Sequence, residues 1–223
     1  MLRALCLDLM GTVLYDPYVE ALEAATGMGL ADAHRVKDPT CWPDFEIAAI
    51  DEAEFARRFF GDPAAGHRFD LEAFHRVRRA GYRFLPGMRE LLDDVAGRLE
   101  RYVASNYPVW IEELRETFAF DRCFDGVYAS HSLGVRKPDE AFYRALLDAI
   151  GREPGECLFV DDRRVNCEAA ETIGMAAHHF DGAAGLRARL RAEGVALAER
   201  PPAGGQADPR GILGAARTID EGA

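Results

Sequence analysis

The sequence predicts an α/β fold, with a parallel sheet covered by helices on both faces and interrupted once by a helical insertion. Three observations carry that prediction. Short, nearly continuous apolar runs at 4–9, 102–105, 126–130 and 157–162 read as buried parallel strands. The segments between them place apolar residues at helical spacing. The polar residues Asp8, Ser105 and Asp161–Asp162 fall at the carboxyl ends of such runs, where open parallel sheets collect their ligands.

The first run, "ALCLDL" at 4–9, ends in Gly-Thr, as a strand entering a loop would. Residues 17–85 then break the alternation, with amphipathic stretches near 17–25, 47–60 and 70–80 and no convincing strand. Asp51 followed by Glu54 resembles a capping box, and Asp70 is placed to cap the next helix. In 88–99, Leu91, Leu92, Val95 and Leu99 share a face, and the run "YVAS" follows. Leu114 and Phe118 do the same in 108–118, and Phe142, Leu146 and Ile150 in 138–150. Pro108 and Pro138 suit first helical turns, while Gly151 and Gly174 suit C-caps. "CLFVDD" is the last strong run, and "AAHHFD" reads as a further strand. After about residue 195 the chain is rich in Pro, Gly and Ala with little periodicity, which predicts a mobile or loosely packed tail. The expected division is an α/β core at 1–16 and 86–194, a helical insertion at 17–85 and a tail at 195–223.

Composition excludes several functions. At 223 residues and 48% hydrophobic content the chain can fill a core of its own. A net charge of -11 argues against broad binding to nucleic acid or anionic membrane, so an anionic ligand needs a local positive site. Cys6, Cys41, Cys123, Cys157 and Cys167 form no CxxC pair and no zinc spacing, and are expected as reduced, mostly buried thiols. Neither an export leader nor a membrane span is evident, so the expected compartment is the cytoplasm; the oligomeric state is not legible.

The strand-end residues form one constellation: Asp8, Ser105 with Asn106, Lys137 before Pro138, and Asp161–Asp162 with Asn166 shortly beyond. A carboxylate nucleophile attacking a phosphoryl group needs charge neutralisation, donors for the phosphate oxygens and a metal held by further carboxylates. Each requirement has a candidate here.

In order and spacing, "DLMGT", "VASN", "VRKPDEAFY" and "LFVDDRRVN" resemble the four motifs of the haloacid dehalogenase (HAD) superfamily, over about residues 1–190. The resemblance implies a HAD-like Rossmannoid sheet with a helical cap of the first (C1) type at 17–85, and Mg²⁺ as cofactor. It implies Asp8 as the nucleophile that becomes an aspartyl phosphate, Ser105 and Asn106 as phosphate or substrate contacts, and Lys137 as the neutralising cation. It further implies that Asp8, Asp162 and the backbone carbonyl of Met10 ligate the metal, with Asp161 holding a metal-bound water. A small phosphorylated metabolite is the expected partner. Within the cap, Trp42, Phe45 and Glu46 are candidate substrate contacts, because an aromatic ring beside a carboxylate can stack on and orient a ring; packing of the cap helices is the competing role for Trp42 and Phe45. From "LYDPY" through "FEIAAIDEAEFARRFF" and "SNYPVWIEEL" to "GVRKPDEAFY" the chain is also similar to plant chloroplast FMN hydrolases of the superfamily, which makes FMN a lead substrate.

One residue departs from the phosphatase pattern. Where those enzymes carry the Asp that protonates the leaving group and activates water, this chain has Met10. Positioned acid-base catalysis is worth ~10²–10⁴ in rate. Three readings follow. A phosphatase can tolerate Met10 if another group supplies the proton. A binding protein can keep the fold and lose turnover, although nothing then explains the retained nucleophile, lysine and acid pair. A dehalogenase needs no proton for a departing halide, but the resemblance gives that branch no metal, and Asp161 and Asp162 would then crowd Asp8.

Other polar residues have plainer expected roles. His178 and His179, adjacent in a strand, point to opposite faces and are expected as one core and one surface residue. His131 lies near the presumed site and is a candidate replacement acid, with a structural role as its alternative. Arg136, Arg163 and Arg164 can hold an anion or be solvated, and Tyr15 and Asp16, where the chain leaves for the insertion, suit a hinge or a catalytic role equally.

Overall fold

In a computed structural model, residues 1–62 and 66–198 are described. The expected tail lies almost wholly outside them. Five strands form a parallel sheet: β1 (Ala4–Leu7), β4 (Glu100–Ser105), β5 (Gly126–Ala129), β6 (Cys157–Asp161) and β7 (Ala176–His179), in the order β5-β4-β1-β6-β7. Two further strands, β2 (Leu14–Tyr15) and β3 (Arg83–Phe84), pair antiparallel.

β1 explains why the sheet has two covered faces. All four of its residues are buried; Leu5 and Leu7 join one apolar cluster, while Ala4 and Cys6 join a second on the opposite face. Alternate residues of a strand point to opposite faces, so a strand buried on both sides must be apolar throughout. That is the pattern the sequence displays. The five cysteines are free and buried.

Three helices follow the expected periodicity with shorter bounds, Met88–Val95, Ile111–Thr117 and Glu140–Ile150, and a further helix, Arg164–Thr172, follows β6. Pro108 and Pro138 precede their helices rather than occupying the first turn, and the bond before Pro138 is cis. Gly151 caps its helix in the left-handed conformation. Gly174 follows the capping residue Ile173.

Between β2 and β3 the chain is helical: Tyr18–Thr26, Leu30–Val36, Cys41–Glu46, Glu52–Arg58 and Leu71–Gly81. Asp51 and Asp70 accept hydrogen bonds from the backbone N–H groups of Glu54 and Ala73, as their spacing predicts. The Glu54 carboxylate pairs with Arg57, so the reciprocal half of the capping box is not formed. β3 falls inside 17–85, where no strand was expected, because two residues are too few to show a period. Together β2 and β3 bind the outgoing chain to the returning one. Beside them Gly81 packs so close to Pro17 that a Cβ there would lie 2.4 Å from the proline Cβ.

Candidate active site

The sheet order places β1 between β4 and β6, so the residues that follow or end these three strands meet at the carboxyl ends of the central strands. Asp8 follows β1, Ser105 ends β4 and Asp161 ends β6. The Asp8 N–H donates to the Val160 carbonyl at 2.8 Å, which continues the β1–β6 ladder and fixes the base of its side chain. Asp8 Oδ1 accepts hydrogen bonds from Ser105 Oγ at 3.0 Å and Lys137 Nζ at 2.8 Å. Lys137 Nζ also donates to Asp161 Oδ2 at 2.6 Å and to the Ala104 carbonyl at 2.9 Å. All three protons of this buried ammonium are therefore committed.

Asn106 holds the lysine from behind. Its Nδ2 donates to the Lys137 carbonyl at 2.9 Å, and its Oδ1 accepts from the Lys137 N–H at 2.8 Å. Asn166 similarly fixes Asp161, donating to both carboxylate oxygens at 3.0 Å, while the Arg163 N–H donates to Oδ1 at 2.8 Å. Asp162 stands beside the Gly11 turn. A Cβ on Gly11 would lie 2.5 Å from Asp162 Oδ2, and the backbone φ of +78° there disfavours any side chain.

Charge in this cluster is tightly balanced. Burial pushes the Asp8 carboxyl up; Lys137 opposes that rise and Asp161 adds to it, and the net direction is upward. Burial disfavours the Lys137 ammonium, but Asp161 and Asp8 more than compensate and hold it above its usual range. Asp162, although its side chain reaches solvent, is pushed up to about 7 by loss of solvation and then by the charges of Asp8 and Asp161. One lysine against three neighbouring carboxylates leaves excess negative charge. Asp8, Asp161 and Asp162 each offer an oxygen, and these atoms lie within 4.8 Å of one another. A hard divalent cation fits such a donor set in both charge and chemistry.

The helical segment contributes a second group of residues. Trp42 Nε1 donates to Glu46 Oε1 at 2.6 Å, and Arg136 Nε donates to Glu46 Oε2 at 2.9 Å. Burial raises the Glu46 carboxyl, opposed by Arg136 and by the Trp42 indole. The Glu46 carbonyl also accepts from Ser130 Oγ at 2.8 Å, and Ser130 Oγ accepts from the Tyr107 N–H at 3.0 Å. Glu46 thus ties the helical segment to the loop carrying Lys137. Trp42 is half-buried and packs edge-on against Tyr18 and Phe55, while Phe45 is buried and stacks on Phe55. The joining residues Arg136, Ser130 and Tyr107 have no local signature; only the sheet topology brings them to Glu46.

The histidines lie differently from expectation. His178 and His179 are both half-buried on the edge strand β7; the ring of His179 lies 2.8 Å from the Asp162 carbonyl. His131 lies on the short helix Ser130–Leu133, and its Nδ1 has no hydrogen-bond partner among the described residues.

Comparison with known proteins agrees with this geometry. The haloacid dehalogenase-like hydrolase family profile matches residues 2–174. The chain is 36% identical over 195 residues to chloroplast flavin mononucleotide hydrolase 1 of Arabidopsis thaliana, covering 87% of this chain and 78% of that one. It is 30% identical over 175 residues to a sesquiterpene phosphatase of Aspergillus oryzae, covering 77% and 86%. The fold matches a HAD family enzyme of Bacteroides thetaiotaomicron, crystallised with magnesium and inorganic phosphate, with a TM-score of 0.68 at 17% identity over 83% of this chain and 99% of that one. With its motifs gathered at the carboxyl ends of the central strands and its profile match spanning most of the sequence, the chain belongs to the haloacid dehalogenase-like hydrolase family.

Proposed function

We propose that this hydrolase is a magnesium-dependent phosphatase acting on a small phosphate monoester, with FMN the leading candidate, through an aspartyl phosphate at Asp8. The observation that carries the reading is Lys137, whose Nζ lies 2.8 Å from Asp8 and 2.6 Å from Asp161. It holds a buried carboxylate oriented at a point where a second positive charge is still required. Asp8, Asp161, Asp162 and the Met10 carbonyl would hold Mg²⁺, which supplies electrostatic stabilisation to the transferring phosphoryl group. Similarity to the Arabidopsis FMN hydrolase over most of both chains supports the choice of FMN. The same acidic cluster disfavours displacement of a halide, which has no use for so much negative charge around its nucleophile.

Each residue has a defined task in this mechanism. Asp8 attacks phosphorus, and the bond to the ester oxygen breaks. Ser105 Oγ, now donating to Asp8, is placed to donate to a phosphoryl oxygen. Lys137 favours the ionised form of Asp8 against the effect of burial before attack and neutralises the phosphoryl charge afterwards. Asn106 acts through its paired hydrogen bonds to the Lys137 backbone, which makes it a positioning residue. Residues 17–85 act as the cap that excludes water, and Trp42 and Glu46, joined to each other and through Arg136 to the loop that carries Lys137, are its candidate contacts for the organic part of the substrate.

The test is phosphate release from FMN and from p-nitrophenyl phosphate, with and without Mg²⁺. Release that requires Mg²⁺ and falls to background in Asp8→Asn is the expected result. Equal release by Asp8→Asn would overturn the reading.

A further inference from the structure

The active site lacks a carboxylate at residue 10, yet transfer to Asp8 from an alkyl ester must end with a proton on the leaving oxygen. Among the described residues, Asp16 is a carboxyl group on which the charge of Asp8 acts and which the mechanism above does not use. The turn after Asp8 is tight: the Val13 and Leu14 N–H groups both donate to the Leu9 carbonyl, at 2.9 and 2.8 Å, and Gly11 N–H donates to Leu14 at 2.8 Å. The chain therefore returns beside its starting point and enters β2. Asp16 is the next residue. In the β2–β3 register Leu14 faces Phe84 and Tyr15 faces Arg83, which sets Asp16 opposite Tyr82.

Tyr82 connects this position to the phosphate end of the site. Its hydroxyl is hydrogen-bonded to that of Tyr107, which lies two residues beyond Ser105, the donor to Asp8. Asp16 Oδ1 accepts from the Tyr18 N–H at 3.0 Å, and the side chain is otherwise open to solvent. Carboxylates and phenols surround it. Asp8 of the core, Glu20 of the first cap helix and Glu46 of the third all lie close enough for their charges to act on it. It acts in turn on the phenols of Tyr18, Tyr82 and Tyr107. Two cations lie among these groups: Arg78, which acts on Tyr82 and Tyr107, and Arg83, which stacks on the Tyr15 ring.

The geometry points to Asp16 as the acid and base that residue 10 does not provide. This assignment rests on the phosphatase reading and extends it. As Asp8 bonds to phosphorus and the ester P–O bond breaks, the Asp16 carboxyl gives its proton to the departing oxygen, which leaves as the alcohol. The resulting carboxylate then takes a proton from the water that attacks the aspartyl phosphate. Inorganic phosphate and free Asp8 are restored, and Asp16 is again protonated. The neighbouring protein and then the charges of Asp8, Glu20 and Glu46 push its carboxyl up, opposed by the Tyr18 N–H bond, while its exposure lets it exchange protons with water, as a group serving in both directions requires.

The test is the dependence of kcat/KM on leaving-group acidity, using p-nitrophenyl phosphate, phenyl phosphate and FMN with Mg²⁺. Asp16→Asn is expected to lose ~10²–10⁴-fold on FMN and at least about tenfold less on p-nitrophenyl phosphate, whose leaving group departs without a proton. Asp16→Glu should recover part of the loss on FMN. The decline of wild-type kcat on FMN above neutral pH should disappear in Asp16→Asn. Equal losses on all three esters, or no loss, would overturn the assignment while leaving the phosphatase reading intact. Hydrolysis that survives Asp8→Asn would overturn both. Unfolding curves for each variant separate a folding defect from a chemical one, and Asp16→Glu supplies a second reading if Asp16→Asn does not fold.

Discussion

Met10 decides what kind of chemistry this site performs. In an Asp16→Asn background, where the acid is missing, Met10→Asp should raise kcat/KM on alkyl phosphates by up to ~10²-fold and on p-nitrophenyl phosphate much less. A loss on both esters would mean that the site is tuned around the methionine. Gly11 is the second residue whose identity is fixed by geometry, since its φ of +78° and the 2.5 Å approach of Asp162 leave no place for a methyl group. Gly11→Ala should cost about 1–2 kcal/mol from the backbone alone. It should also weaken Mg²⁺ binding by displacing Asp162, measured by calorimetric titration; unchanged affinity would remove Asp162 from the metal site. Asp8, Ser105 and Asp161–Asp162 were legible as site residues because each lies at or just after a strand end, and Lys137 through its place before Pro138 in the third motif. The part played by Asn106 was not legible, because its bonds to Lys137 span 31 positions. Asp16 offered no signal in sequence beyond its place after the first motif.

Among the elements, the sheet was readable and the hinge was not. Strands buried on both faces must be apolar throughout, so β1, β4 and β6 stood out, whereas β2 and β3 are two residues each and exist only by pairing. The helices Leu30–Val36 and Cys41–Glu46 were likewise too short for a periodic signal. The latter carries Glu46, whose carboxylate joins Trp42 to Arg136 and whose carbonyl accepts from Ser130. Glu46→Ala should destabilise the protein by about 1–3 kcal/mol, less than the ~3–5 of a fully buried pair because Arg136 reaches solvent. The same change should raise KM more than it lowers kcat, since it loosens the cap rather than the nucleophile. A fall in kcat alone would place Glu46 in the chemistry.

For the whole molecule, the consequence of this site is stored repulsion. Asp16 and Asp162 both hold their protons up to about 7 in the folded chain, against 3.8 for an ordinary carboxyl. Between those values the folded state binds more protons than the unfolded state, so this contribution to stability falls as pH rises through the window. Without metal, the difference in unfolding free energy between about pH 5 and pH 8 should therefore favour the lower pH at these two groups, and Asp162→Asn should reduce it. Mg²⁺ should stabilise the protein most at the higher pH, where the carboxylates are ionised and can bind it. A pH difference unchanged by Asp162→Asn would contradict this balance. A chain of net charge -11 has placed three carboxylates around one lysine, an arrangement that a cation and a phosphoryl group together can satisfy.

The most direct measurement is acid quenching of the enzyme during turnover of FMN with Mg²⁺, followed by mass spectrometry of the peptide that contains Asp8. A phosphoryl group on that peptide, present in the wild type and missing in Asp8→Asn, is the result expected. Steady turnover with no phosphoryl group at Asp8, under conditions that trap acyl phosphates, would contradict the account.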